Sequence, residues 1–501
     1  MELVVLTLLV AIAVYVVAWR VFDSRTHMPL PPGPRGLPIV GNALQYPLSE
    51  AWKTFTQWKN RYGDIVYISL FGTPVVILNT ADVADELMNR RAANYSDRPN
   101  SIMVHKLMGW DWVLTARSGD LHRQMRSLAQ RYFVHQVKQY QAIQTEEALI
   151  LAERCISAPN DVFSHIHFFA ACIVLRIGYG YRLQSVNDPF LKESEKAIEN
   201  SALDTTLVDI FPILQYWPEW LPGGGFKTYA REGREAMEHM RDIPFAHTKE
   251  RLKQGTAEPC FVTVLLDGID PSQDIQRQET LIRDTVGTMY GAGAHSTSSS
   301  LKTFMLAMML FPEVQRHAQD EIDRVTGGSR LPTMDDRKDL PYIEALLTEI
   351  LRWNSVTPSG FPHKTVTEDQ YRGYRIPAGT VVLGNMWAIL RDPAVFPDPE
   401  RFDPMRYIDI DGKKRAEIVD VVFGWGRRVC PGKELAQASI FISVAILLST
   451  ITISLPLTKE GQEYTPDVKW TTVHVREPMP FSHTITPRPL QSKVLRDHFA
   501  Y

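Results

Sequence analysis

The segment Phe423-Gly424-Trp425-Gly426-Arg427-Arg428-Val429-Cys430-Pro431-Gly432 places three glycines, two arginines and a cysteine just ahead of a long apolar run. The glycines permit tight backbone turns and close approach of a flat ligand. Arg427 and Arg428 precede Cys430 and favour thiolate over thiol. Gly432 leads into a helix predicted to start near Lys433. The sulfur therefore stands at a helix N-terminus, where free N–H groups and the helix dipole stabilise an anion. A buried loop cysteine fits the same spacing. A nucleophilic-cysteine enzyme fits less well, because no neighbouring histidine is offered as a base.

Composition narrows the class around this segment. The chain has 501 residues, 45% hydrophobic and 22% charged, which describes a folded globular protein and excludes a polar disordered one. Lys+Arg 54 against Asp+Glu 57 leaves a net charge of −3, so no global basic field draws it to nucleic acid. The cysteines Cys155, Cys172, Cys260 and Cys430 are too few for a disulfide scaffold, and none forms a CxxC pair.

Upstream, Leu3–Trp19 carries no charge. As a helix it runs ~25 Å, and ~30 Å if Arg20 snorkels and Val21-Phe22 are included, long enough to span a bilayer core. A cleaved signal peptide competes, with Val16-Val17-Ala18 as the cleavage triplet. Met1-Glu2 brings no positive charge, however, and the run is long for a signal. Arg20, Arg25 and Arg35 follow the run, so the positive-inside bias places the bulk of the chain in the cytosol. Residues 1–22 are predicted to be a single uncleaved transmembrane anchor. Residues 23–42, with Pro29-Leu30-Pro31-Pro32-Gly33-Pro34, form a stiff hinge, and residues 43–501 form the globular body. Asn94-Tyr95-Ser96 is a glycosylation sequon that a cytosolic body never presents to the transferase.

Within the body, Ile65–Leu70 and Pro74–Leu78 read as a hairpin around Phe71-Gly72-Thr73. Helical periodicity dominates from about residue 120 to 355. Pro312-Glu313 opens a helix with the stripe Val314, Ala318, Ile322 and Val325. Short strands such as Gly379–Leu383 follow, and residues 434–455 return to an apolar helix. The pattern is mainly α with a small β part, one body rather than the three domains that length alone suggests. No proline lies between Pro271 and Pro312, so a helix of ~45 Å fits there. Its middle reads Gly291-Ala292-Gly293-Ala294-His295-Ser296-Thr297. A mid-helix glycine costs ~1 kcal/mol relative to alanine, so the pair marks either a groove opened toward something flat or close helix–helix packing. A dinucleotide fingerprint is excluded, since the third glycine and the preceding strand are missing. Glu349 and Arg352 share one face of a helix over Pro341–Trp353, although such pairs are mostly exposed and contribute under ~1 kcal/mol. His122 and Arg126 stand one helical turn apart, suited to a shared carboxylate or to a solvated basic face.

Together, in this order and spacing, these features resemble the cytochrome P450 family over about residues 30–490. Phe423-x-x-Gly426-x-Arg428-x-Cys430-x-Gly432 matches the family's haem-binding loop in full, and the sequence is most similar to fungal members that oxidise secondary metabolites. The resemblance implies a single large domain of that fold and a haem b whose iron is ligated by Cys430. Thiolate ligation favours O–O cleavage. Arg428, Arg126, His122 and His363 fall where the family places haem-propionate partners. Glu349 and Arg352 match its buried structural pair. The third partner is assigned to Arg406, because Phe402-Asp403-Pro404-Met405-Arg406-Tyr407 fits the family frame and the literal Pro399-Glu400-Arg401-Phe402 lies one step early. The usual acid–alcohol pair of the long helix is replaced by His295-Ser296. Serine supplies a hydroxyl, with Thr297 as its substitute, and imidazole shuttles protons near neutral pH, but no carboxylate is present.

The resemblance further implies an endoplasmic-reticulum membrane protein whose catalytic domain faces the cytosol. It inserts one atom of O2 into an apolar, terpenoid-like small molecule, with electrons from NADPH through cytochrome P450 reductase and cytochrome b5 as a further partner. Arg123, Arg131, Arg427 and Lys433 are expected to make the docking face basic. The pocket is expected to be lined by Met103–Trp112, Thr288–Ser296, Val356–Phe361 and Thr471–His474. Two alternatives stand: a haem-thiolate enzyme catalysing desaturation or rearrangement, and a non-catalytic haem carrier or sensor.

Overall fold

The computed structural model describes residues 28–116, 119–133, 137–199, 206–471 and 475–499. The anchor read over residues 1–22, the hinge residues 23–27 and the pocket residues 472–474 lie outside the described residues. The chain divides into two units, Met1–Pro99 with Phe361–Asn385 and Asn100–Gly360 with Met386–Tyr501.

In the first unit, Ala51–Tyr62 (α1) precedes Ile65–Leu70 (β1) and Thr73–Leu78 (β2), which pair antiparallel with Leu70 opposite Thr73. The two residues between them have φ of 48° at Phe71 and 85° at Gly72, the left-handed geometry that suits a two-residue hairpin loop. The strand thus starts one residue before Pro74. His363–Lys364 (β3), Asp369–Tyr371 (β4), Tyr374–Ile376 (β5) and Val381–Gly384 (β6) follow. One sheet runs β1-β2-β6-β3, with β6 parallel to β2, and β4 pairs with β5 in a second. Phe55, Val66, Ile68, Val75, Ile77 and Leu383 form its core. From Pro29 onward the proline segment is docked into this unit rather than standing off as a spacer. Arg375 N–H donates to Pro29 O at 2.8 Å, Tyr67 N–H to Pro32 O at 2.9 Å and Asn42 N–H to Ser69 O at 2.6 Å. A side chain at Gly33 would strike the Tyr67 carbonyl at 1.9 Å, so glycine is required for this approach.

The second unit is helical: Asp120–Phe133 (α2), Gln141–Ser157 (α3), Val162–Tyr179 (α4), Pro189–Glu199 (α5), Phe226–Lys253 (α6), Ile275–Leu310 (α7), Pro312–Thr326 (α8), Pro341–Trp353 (α9) and Lys433–Thr450 (α10). Ile451–Ser454 (β7) and Thr484–Pro487 (β8) pair beside them. At 36 residues α7 is ~54 Å long. The Asp274 side chain accepts from Arg277 N–H at its start, and it stops before Pro312. Pro159–Tyr179 and Lys433–Thr450 are long and apolar enough to cross a membrane, but both are mostly buried in protein. Arg176 in α4 is paired with Glu146 at 2.8 Å and with Glu147.

The glycines of α7 serve packing, not a groove. A Cβ on Gly293 would lie 2.7 Å from Val174 of α4, and one on Gly291 would lie 3.1 Å from Met240 of α6. The helix continues unbroken through them because the missing side chains let neighbouring helices approach. Its open side is elsewhere: Ala292 is exposed in mid-helix, between buried Tyr290 and Ala294.

Candidate active site

The cysteine loop is closed by its own backbone. Gly424 and Gly426 adopt φ of 85° and 53°, and the Cys430 N–H donates to the Phe423 carbonyl at 2.7 Å. Arg428 N–H donates to Trp425 O at 3.0 Å, and the Trp425 side chain is buried. Gly432 stands at the N-cap of α10. Phe423 lies under the Lys433 ammonium, 5.6 Å from its ring centroid.

Cys430 differs from the other cysteines. Cys155, Cys172 and Cys260 are buried, and burial pushes their thiols up, to about 12 at Cys155. Burial also raises the Cys430 thiol, while the Gly432 backbone N–H and the Arg126 guanidinium lower it. Yet Cys430 keeps accessible surface.

The flanking arginines do not act as the sequence suggests. Arg427 is exposed, and Arg428 is buried with Nη1 donating to Leu114 O at 3.3 Å. The short helical turn Gly426–Arg428 throws adjacent side chains apart. The cation beside the sulfur is Arg126 of α2, which also donates to Val429 O at 2.6 Å. Leu114 is the joint of the site: its carbonyl accepts from Arg428 while its N–H donates to Thr288 Oγ1 of α7 at 3.1 Å. Thiol, two guanidiniums and a glycine-shaped loop fit a haem. The sulfur suits iron, the arginines suit propionate carboxylates, and the accessible face of Cys430 leaves a side for the metal. His122 is half-buried on the first turn of α2. His363 lies in the sheet unit, buried in β3, with Nδ1 2.7 Å from Tyr95 O.

Glu349 and Arg352 are both fully buried, with Nε and Nη2 donating to the carboxylate at 2.7 and 2.9 Å. Arg406 Nε stands 3.5 Å from Glu349 Oε1, whereas Arg401 contributes only its carbonyl, to Arg352. Sequence reasoning missed two further partners of this carboxylate, the Tyr407 hydroxyl at 2.8 Å and the Asp403 N–H at 2.9 Å.

On α7, Ser296 Oγ donates to Ala292 O at 2.9 Å and belongs to the open side, while Thr297 is buried in the packed side. His295 is not a free shuttle near neutral pH. Burial first, then the neighbouring His167 and Lys302, push it down to about 4. Its ring meets His167 of α4 at 4.9 Å between centroids and an interplanar angle of 62°. His167 Nε2 is 3.1 Å from Glu195 Oε1 of α5, and that contact is the main reason the Glu195 carboxyl is held below its usual range. The available sequence signal was the pair His165 and His167 just ahead of the apolar run Phe168–Leu175.

This α-rich unit with its cysteine loop fits a haem-thiolate protein. The family model described as Cytochrome P450 matches residues 31–482. Similar proteins include Cytochrome P450 monooxygenase 208 of Postia placenta, 38% identical over 93% of this chain and 92% of its own. Tryptamine 4-monooxygenase of Psilocybe cyanescens is 38% identical over 95% of both chains. A cytochrome P450 monooxygenase of Armillaria gallica is 36% identical over 95% and 96%. The chain belongs to the cytochrome P450 family, and it is a monooxygenase that uses haem and O2.

Proposed function

We propose that this protein inserts one oxygen atom into an apolar secondary metabolite, with electrons delivered from NADPH by a reductase at the endoplasmic-reticulum membrane. The observation that carries the reading is Cys430, the one accessible thiol of the four, held by a closed loop at the start of α10 with Arg126 beside it. Cys430, Arg126 and Arg428 would hold the haem, with His122 as a further propionate donor. Bound haem supplies the oxygen-activating redox chemistry. The chain orients the substrate and moves protons, and Ser296 presents a hydroxyl on the open side of α7.

An exposed apolar segment supports membrane contact: Leu207 is 67%, Ile213 71% and Trp220 82% exposed. Such a surface is suited to the interfacial layer of a bilayer. The basic docking face is narrower than the sequence suggests. Arg123 pairs with Asp120, and Lys433 with Asp420 at 2.9 Å, so the reductase contact rests on exposed Arg131 and Arg427. Met103 and Met108 pack in a small core with Val208 and Ala230. The relative that acts on tryptamine adds an indole amine to the terpenoid-like candidates. A haem carrier disagrees with monooxygenase relatives covering nearly the whole chain.

The test is the reduced carbon-monoxide difference spectrum of the protein and of Cys430→Ser. A thiolate-type Soret band is expected in the first and absent in the second, and a band that survives the substitution refutes the ligand. Product mass then separates insertion, with a gain of one oxygen, from desaturation or rearrangement.

A further inference from the structure

Ahead of the sheet, the chain exposes large apolar side chains from a loop whose own hydrogen bonds hold it closed. Leu37 is 52%, Ile39 85%, Leu44 79% and Leu48 96% exposed. The loop is tied at its base. Asn42 Nδ2 donates to Pro34 O at 2.8 Å and to Gln45 Oε1 at 3.1 Å, and Gln45 Nε2 donates to Arg35 O at 3.0 Å. At its tip, Val40 N–H donates to Pro38 O at 2.8 Å across Ile39, whose φ is 69°. A hydrogen bond across one residue of positive φ is the rare, strained form of the γ-turn, and β-branched residues avoid that backbone region. Glycine would relieve the turn, and a polar side chain would suit water. Isoleucine meets neither need, so the side chain is fitted to an apolar phase outside the protein.

The base of the loop borders a cleft of about 560 Å³ lined by Arg35, Gln45 and, from α1, Trp58, Arg61 and Tyr62. Both guanidiniums are exposed, and among the described residues neither is paired with a carboxylate. Residues 28–62 carry Arg35, Lys53, Lys59 and Arg61 against Glu50 alone, a net charge of +3 in a chain of −3. Glu50 is itself taken by Lys53 at 2.7 Å. Two guanidiniums suit a phosphate, while tryptophan and tyrosine suit the depth of lipid headgroups. Charge and tether both favour a bilayer as the occupant. Arg35 is thirteen positions beyond Phe22, the end of the run read as an anchor, so it stays within ~50 Å of that residue.

We infer that this cleft binds the phosphate of an anionic phospholipid between Arg35 and Arg61, while Leu37, Ile39, Leu44 and Leu48 enter the acyl layer beside it. The inference deepens the reading of this chain as a membrane enzyme and rests on it. Binding makes and breaks no covalent bond. The guanidiniums replace counterions of the phosphate, and the apolar side chains leave water.

The test uses the full chain with haem, reconstituted into nanodiscs of phosphatidylcholine alone or mixed with phosphatidylserine. A polarity-sensitive fluorophore is attached at Leu44→Cys, with the parent chain treated alike as control. Native mass spectrometry counts the lipids that the protein retains on release from the discs. The label is expected to shift to the blue in the discs, and phosphatidylserine to be retained over phosphatidylcholine. Arg35→Gln and Arg61→Gln are each expected to cut that preference about fivefold, the effect of one cation at an anionic surface. Ile39→Gly is expected to melt no lower than wild type, because it relieves the turn, yet to reduce the blue shift. A loop with only a structural role would lower the melting point and leave the lipid preference unchanged. Inorganic phosphate serves as competitor. If it displaces phosphatidylserine while the label stays in a polar medium, the site takes a soluble anion and the inference is overturned. An unshifted label overturns it as well, and so does an unchanged preference in the double arginine variant. A wild type that does not enter the discs at all overturns the membrane reading too, which separates that failure from failure of the site alone.

Discussion

Replacing Glu349 by Gln keeps its shape and removes its charge, leaving the Arg352 guanidinium buried beside a neutral amide. The carboxylate accepts from Arg352 Nε and Nη2 at 2.7 and 2.9 Å, from Asp403 N–H at 2.9 Å and from Tyr407 OH at 2.8 Å, and both charged side chains are 0% exposed. An amide offers one acceptor oxygen, and its NH2 points a donor at a donor. Breaking a fully buried pair by removing one partner costs about 3–5 kcal/mol, against a total stability of ~5–15 kcal/mol. That is two to almost four powers of ten in the folded-to-unfolded ratio, at about 1.4 kcal/mol each. The internal control is Lys253→Gln, which removes an ion pair with Glu250 whose side chains are 72% and 59% exposed, with an expected cost under ~1 kcal/mol. Urea unfolding followed by far-ultraviolet circular dichroism measures both. The double variant Glu349→Leu with Arg352→Met is expected to recover part of the loss, since no charge is left stranded. Recovery stays incomplete because the Leu390 carbonyl loses its donor and the Tyr407 hydroxyl and Asp403 N–H lose their acceptor. A Glu349→Gln midpoint equal to that of Lys253→Gln would refute the reasoning.

Gly293→Ala places a Cβ 2.7 Å from Val174 and is expected to destabilise by ~1–3 kcal/mol in thermal melts. Gly225→Ala, in open space with φ −58°, is expected to be neutral or stabilising by up to ~1 kcal/mol. The Arg330 hydrogen bond holds the Asp336 carboxyl down at about 2, so its stabilisation is present above the ordinary value of 3.8 and is lost as pH falls through about 2. Arg330→Ala is therefore expected to shift acid unfolding to higher pH, measured by fluorescence between pH 2 and 4. A maleimide is expected to label Cys430 alone in native protein stripped of haem, and haem loading to block it, as peptide mass spectrometry reads.

Local chemistry was legible where it depends on neighbours in the chain. The glycines of the cysteine loop, the proline bounds of α7 and α9 and the hairpin at Phe71-Gly72 each act within a few residues, so pattern alone placed them. The frame argument for Arg406 over Arg401 is of the same kind, and its Nε stands within 3.5 Å of Glu349. Partners distant in sequence were not legible. Arg126 beside Cys430, Leu114 between loop and α7, and Glu195 behind His167 are separated along the chain by tens to hundreds of residues.

The sequence by itself determined the family, the cysteine proposed as the sulfur ligand and the absence of an acid next to Ser296, because these are matters of residue type and spacing. Only the tertiary structure decided that Gly291 and Gly293 are packing contacts, that Arg126 of another helix is the cation beside the sulfur, and that Glu195 approaches His167 from another helix. Helix packing brings those groups together, and the desolvation that accompanies packing sets their proton affinities.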